Sequence, residues 1–278
     1  MDTREQDLYL FNEVKQYDYD RWLATLFIPG PRRAGMFVLL AFNTEIARIR
    51  ETVSEAMLGD IRLQWWRDAL GAIAAGTAPP AHPVASALGD LVKAHDLPVA
   101  ELQQMVDARG SDLDAVPFRT RDDLLAYARA TGGLLSGLQF RLWGDETEEG
   151  LATAQQVGTA YALTGMIRSI PYHVAQDVLQ IPEEMIAAKG LSADGLFSPQ
   201  NRAAFFEITR ELGQIAAATQ AEAKAKIETR GPKRRAFYRL SALTSLYLRR
   251  LERAGFDPAH RKLDIGSVRK IMALARGR

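Results

Sequence analysis

From one end of this chain to the other, apolar residues recur at helical spacing, and no stretch alternates apolar with polar for long enough to make a strand. That periodicity restricts the fold to helices packed on helices, because a helix with an apolar stripe has to bury it against another element. In "MLGDIRLQWWRDALGAIAAG", Met57, Ile61, Trp65, Ala69 and Ile73 supply such a stripe, and Gly76 ahead of Pro79-Pro80 supplies a stop. The same reading predicts helices over 3–16, 19–27, 32–52, 82–94, 99–109, 121–143, 148–175, 199–229, 233–254 and 267–275. Starts are marked by Pro98 ahead of "VAEL", by Thr120 with Asp123 three residues on, and by Ser198-Pro199; turns are marked by Gly110, Gly144, Gly190, Gly231-Pro232 and Gly255. No repeat, low-complexity tract or linker divides the chain, so the expectation is one all-α domain over residues 1–278.

The absence of cysteine excludes disulfides, thiolate zinc sites, iron–sulfur ligation and cysteine nucleophiles together. The opening "MDTREQDLYL" is acidic and carries no apolar core, so no secretory signal or transit peptide is expected there. The longest apolar run, "AGMFVLLAF", is too short to span a bilayer. A soluble or membrane-peripheral protein of the cytoplasm is expected, one that lies at most against the inner membrane.

Charge is distributed unevenly. Residues 230–278 hold fourteen Lys/Arg against three acids, a balance of +11, which leaves −10 on the preceding part. Such a basic end is a footprint for phosphates, anionic lipid or nucleic acid, or else a solvated helix face.

Searches for catalytic motifs return nothing: no phosphate-binding loop, no dinucleotide fingerprint, no HExxH and no Gly-x-Ser-x-Gly. His82, His95, His173 and His260 stand at spacings that suit caps, turns and surface rather than a metal. Two helices with polar residues in apolar surroundings remain. In "NTEIARIRE", Ala47 and Glu51 lie four apart, hence on one helix face, with Arg48 adjacent. In "GTAYALTGMIRSIPYHVAQD", Arg168 follows the small residues Gly158, Ala160, Ala162 and Gly165, which permit close helix approach or leave a cavity, and Pro171 disturbs the helix. Trp65 and Trp66 cannot share a helix face, so one belongs to a core and the other to an interface or groove.

Five segments, "YDYDRWLATLFIPGPRRAGMFVLLAFNTEIARIRE", "PPAHPVASAL", "YARATGGLLSG", "LTGMIRSIPYH" and "QIP", resemble in order and spacing the squalene/phytoene synthase family. The resemblance runs from about residue 17 to about residue 250. It implies an all-α isoprenoid-synthase-like bundle around a central cavity, in which two aspartate motifs on facing helices bind Mg²⁺ and, through it, two isoprenyl diphosphates that are joined head to head. The first motif of that family, Arg-x-x-Asp-Asp-x-x-Asp, falls on Thr44 through Glu51. Ala47 and Arg48 take the place of the aspartate pair, and Glu51 alone stays acidic. The second, Gln-x-x-Asn-x-x-Arg-Asp-x-x-x-Asp, falls on Ala162 through His173, with Gly165, Ser169 and His173 in place of Asn and both aspartates, and Arg168 kept. Tyr127 matches the tyrosine that the family places beside its reaction centre.

Mg²⁺ is held by oxygen ligands in near-octahedral order, so these replacements imply no catalytic residues, no metal and no cofactor, with Mg²⁺ required only if condensation persists by an altered site. "FNTEIARIRETVSEAMLGDIRLQWWRDAL" is similar to one branch of the family: the phytoene-synthase-like assembly factors of respiratory complex I and their bacterial relatives. Asn43, Glu45, Ser54, Gly59, Arg62, Gln64, Trp66 and "RSIPYH" carry that similarity. It implies a retained fold, lost catalysis and a respiratory-complex subunit or assembly partner, with an anionic membrane surface or an isoprenoid lipid as further ligands. Glu45, Arg48, Glu51, Tyr127 and Arg168 are the candidate cavity residues, and Glu51 would neutralise Arg168 from the facing helix. The competing readings are an active prenyltransferase with an altered site and, last, a helical nucleic-acid-binding protein that uses the basic end, which lacks interleaved aromatics. Glu45, Arg48 and Glu51 also read simply as an ion-pair ladder, and Tyr127 as a core residue.

Overall fold

The computed structural model describes residues 3–116, 118–144, 147–229 and 237–277, and among them no residue is in a strand. The helices are α1 (Thr3–Tyr17), α2 (Tyr19–Thr25), α3 (Gly30–Ala47), α4 (Ala56–Ala74), α5 (Pro83–His95), α6 (Val99–Ala108), α7 (Arg121–Ala128), α8 (Leu134–Trp143), α9 (Glu148–Val174), α10 (Glu183–Ala187), α11 (Arg202–Glu228), α12 (Leu240–Arg253) and α13 (Ser267–Arg276). The expected stops at Gly76, Gly144, Gly190 and Gly255 all adopt positive φ. No described helix is long and apolar enough to cross a membrane. The helix expected over 233–254 starts outside the described residues; from Phe237 the chain forms a 3₁₀ turn and then α12.

The chain gathers into two compact units, Met1–Leu113 with Leu134–Gln155, and Asp114–Gly133 with Gln156–Arg278. Two of the passages from one unit to the other fall inside helical segments, at Gly133–Leu134 and within α9, so no linker marks them in the sequence.

In the first unit α3 is the hub. Met36 through Thr44 are all buried, as befits a helix surrounded by α1, α5 and α8. Its entry is fixed by Pro31 in the first turn and by the Arg33 guanidinium, which donates to the carbonyls of Leu26 (3.1 Å) and Ile28 (2.9 Å). Phe11 of α1 meets Trp22 and Phe37 edge-on at 5.4 and 5.2 Å. The buried face of α4 differs from the expected stripe. Gly59, Leu63, Trp66, Leu70 and Ile73 face inward, while Met57 and Ile61 are 65% and 60% exposed. Gly59 packs close here: a Cβ there would stand 2.4 Å from Leu113 Cδ2, so the Leu113 side chain would have to move where α4 crosses the turn after α6.

In the second unit α7 begins with a capping box. Thr120 Oγ1 accepts from Asp123 N (3.1 Å) and Asp123 Oδ2 accepts from Thr120 N (2.8 Å). A π turn, Arg129–Gly133, follows α7. There Gly132 lies so close to α9 that a Cβ would stand 2.5 Å from Gly158 O and 2.7 Å from the Ala162 Cβ. The small residues of α9 thus serve close approach at this point. α9 continues through Pro171 and stops at Val174, one turn beyond it. α11 and α12 are joined by a buried network in which the Gln220 amide donates to Ser241 O, Ser241 Oγ and Ser245 Oγ at 2.7–2.9 Å.

Candidate functional site

The expected helix 32–52 ends early. α3 stops at Ala47, Arg48 is its C-cap, and Arg50–Thr52 form a 3₁₀ turn. The Thr52 hydroxyl donates toward the carbonyls of Arg48 (3.1 Å) and Ile49 (3.0 Å), which also accept from the Thr52 backbone N–H. Arg62 of α4 donates in turn to Thr52 Oγ1 at 2.6 Å. Ala47 and Glu51 therefore do not share a helix face. Glu51 is an exposed turn residue, not the interior carboxylate expected, and its carboxylate stands 3.8 Å from the Arg48 guanidinium. Only that half of the Glu45–Arg48–Glu51 ladder forms, because Glu45 turns to His82, with Nε2 4.0 Å from Oε1.

Around this helix end lies a cleft of about 260 Å³ within the first unit. α1 contributes Glu13, α3 contributes Thr44 and Glu45, and the turn contributes Arg48, Ile49 and Thr52. Arg62, Trp65 and Trp66 come from α4, and His82 from the N-cap of α5. Trp66 is buried against Phe42 (5.2 Å between ring centres), whereas Trp65 is half-buried, so the division of the indole pair into a core and a groove residue holds. The His82 ring lies 5.3 and 5.6 Å from the two indoles. Arg48 is anchored over the Tyr17 ring, its guanidinium carbon 3.3 Å from the centre. Burial, and then the charge of Glu45, push the Glu13 carboxyl above its ordinary value, with Arg48 opposing; burial and the charges of Glu13 and Glu45 raise the Tyr9 hydroxyl.

Of the residues that carried the branch resemblance, Glu45, Arg62 and Trp66 thus converge on one cleft. Asn43 serves packing: buried on α3, it accepts from Arg109 at 3.4 Å. Gln64 bonds Asp68 on the exposed face of α4. Sequence reasoning did not select Glu13, because α1 carries no motif, and it read His82 only as a cap or surface residue. The signal for His82 was its place in "PPAHPVASAL".

The second motif lies in the second unit. The Arg168 guanidinium carbon is 3.5 Å from the centre of the buried Tyr247 ring, Ser169 Oγ is turned back to Met166 O (3.1 Å), and His173 packs on the exposed Tyr172 (5.5 Å). Beside them Leu163, Met166, Ile167 and Ile170 line an apolar gap of only about 10 Å³, room for one water at most. Tyr127 is buried against Phe118, 5.2 Å between ring centres, as in its core reading.

These side chains do not fit Mg²⁺. Positions 47 and 48 offer a methyl group and a cation, the Ser169 hydroxyl is held by its own helix, and among the described residues no three His, Cys, Asp or Glu stand together as a metal would need.

A family model for squalene/phytoene synthase matches residues 14–269. The chain is similar to human NADH dehydrogenase (ubiquinone) complex I, assembly factor 6, at 30% identity over 188 residues, 68% of this chain and 56% of that protein. It therefore spans little more than half the length of that relative. The Rattus norvegicus protein of the same name is 27% identical over 261 residues, 93% of this chain and 78% of that one. Among solved structures, a dehydrosqualene synthase in complex with ligand superposes with a TM-score of 0.82 at 17% identity, covering 99% of this chain and 95% of that one. The architecture is the all-helical, isoprenoid-synthase-like fold.

Proposed function

The chain belongs to the squalene/phytoene synthase family, and from that membership we propose that it keeps the fold without the Mg²⁺-dependent condensation and acts in the assembly of respiratory complex I. The observation that carries this reading is Arg48. It stands where the family has the second aspartate of its first motif, and its guanidinium is engaged by Tyr17 and Glu51. A cation at a metal-ligand position repels the ion that the aspartate would attract. The complex I part is supported by the names of the human and rat relatives.

In this reading the partner is a respiratory-complex subunit or another assembly protein, and the place of action is the cytoplasmic face of the inner membrane, with the basic end turned to the lipid. No metal or organic cofactor is needed. Tyr127 and Arg168 act in packing, and the cleft at the end of α3 takes the place of the synthase site.

The test is incubation of the purified chain with farnesyl or geranylgeranyl diphosphate and Mg²⁺. The expected result is no product above a protein-free control, and a melting temperature unchanged by EDTA. Mg²⁺-dependent formation of a head-to-head product would instead establish the altered-site prenyltransferase.

A further inference from the structure

We propose that the cleft at the end of α3 is a receptor for an organic cation, a primary ammonium or guanidinium group, held between the carboxylates of Glu13 and Glu45 and the indoles of Trp65 and Trp66. The proposal rests on the reading that the first motif no longer serves Mg²⁺ and diphosphate.

The two arginines in the cleft are already engaged. Arg48 lies over Tyr17 and against Glu51, and Arg62 donates to Thr52 at 2.6 Å. Each is thereby held in place, with part of its guanidinium committed to the protein. The acids stand beside them on α1 and α3. Glu13 and Glu45 stand close enough for the charge of Glu45 to help burial raise the Glu13 carboxyl, with Arg48 opposing, and Glu45 Oε1 lies 4.0 Å from His82 Nε2. Two carboxylates brought together on facing helices repel, and a cation placed between them removes the repulsion.

Thr44 is an independent pointer. It is 4% exposed, lines the cleft, and its hydroxyl oxygen has no hydrogen-bond partner in the protein. A buried polar atom that the protein leaves unmatched calls for a water or a ligand group to match it. An N–H donor would satisfy that oxygen together with the two carboxylates.

Size and lining narrow the ligand. Among the described residues no group of three His, Cys, Asp or Glu is placed to hold a metal ion. A volume of about 260 Å³ lies just under the ~300–1,000 Å³ typical of drug-sized sites, which suits one amine- or guanidine-bearing chain. Indole faces attract such cations. The chemistry is shared by a protein's lysine or arginine side chain and by a free amine.

Calorimetric titration of the full-length protein at low ionic strength separates these. Agmatine is the free-amine probe, the peptide Gly-Gly-Arg-Gly-Gly is the side-chain probe, and pyrophosphate with Mg²⁺ is the anionic control. Saturable binding of either cationic probe is expected, weakened at least tenfold in Glu45→Gln and in Glu13→Gln, with no heat from the control. The tighter of the two probes identifies the source. Melting curves of both variants verify that they are folded, and Glu45→Asp should restore part of the affinity. Absence of binding by both probes, equal binding by folded Glu45→Gln, or binding of Mg²⁺-pyrophosphate in their place would overturn the proposal. Product formation from farnesyl diphosphate by the same preparation would instead strike the reading beneath it, and the two failures are read separately.

Discussion

The Arg48 guanidinium lies over the Tyr17 ring, 3.3 Å from guanidinium carbon to ring centre, and so ties the C-cap of α3 to the last residue of α1. Arg48, which the resemblance sets at an aspartate position of the family's first motif, is here a strut between two helices. Because Arg48 is half-buried and its ion pair with Glu51 is long at 3.8 Å, most of its contribution comes from the ring contact. Arg48→Ala should destabilise the fold by about 0.5–1 kcal/mol, read from urea midpoints. Arg48→Lys should recover only part, since an ammonium does not stack as a planar guanidinium does. A stabilised Arg48→Ala would contradict the strut.

Glu13 carries a pH signature. Its carboxyl is raised in the folded chain, by burial first and by Glu45 second. The folded state therefore holds its proton at pH values where the unfolded chain has already released it. Stability is lost as pH climbs from the ordinary carboxylate value through the raised one, and the penalty persists at neutrality. Glu13→Gln removes the penalty. Its melting temperature relative to the parent should be near parity at the acid end and higher at pH 7, and a difference independent of pH would count against the raised Glu13 carboxyl.

At the start of α7, Thr120→Ala deletes one half of the capping box and releases the backbone N–H of Asp123. The expected cost is about 1 kcal/mol, read by denaturant unfolding, with Thr120→Ser close to the parent. The Asp123 carboxyl is held below its ordinary value by the Thr120 backbone and side chain, so its support is present above the ordinary carboxylate range and fades as pH falls through the lowered value. The Thr120→Ala deficit should therefore shrink in acid.

At the other end of the chain, α13 exposes Val268, Ile271 and Met272 on one face and carries Arg269, Lys270 and Arg276 with no acid. Part of the expected basic region, 230–236 and 278, lies outside the described residues. An apolar face bordered by cations suits the headgroup layer of an anionic bilayer, at about 1 kcal/mol per basic residue. Co-sedimentation with vesicles should require anionic lipid, weaken with salt and fall in Ile271→Asp. Binding indifferent to lipid charge would reject the surface.

The helices and most of their stops were legible because periodicity and glycine punctuation are local signals. The end of α3 was not. "EIARIRETV" keeps helical character through Glu51, whereas α3 ends at Ala47 and the chain goes on in a turn closed by backbone bonds from Glu51 and Thr52 to Arg48 and Ile49, with Arg62, ten residues away, bound to Thr52. The α4 stripe was misread because Met57 and Ile61 fit the period as well as Leu63 and Trp66 do. Which set turns inward is decided by tertiary packing, in which Gly59 stands close to Leu113 and Leu63 and Trp66 are buried. In the site, Glu45, Arg62 and Trp66 were legible only by resemblance. Glu13 reaches the cleft through the packing of α1 on α3, which leaves no mark in a single sequence.

Deletion of the gene in its native host, followed by assay of complex I activity beside an isoprenoid inventory, tests the proposed role most directly. Complex I activity should fall while squalene, phytoene and related products stay unchanged, and the wild-type gene should restore it. Loss of an isoprenoid product with complex I intact would contradict the role and return the chain to the synthases.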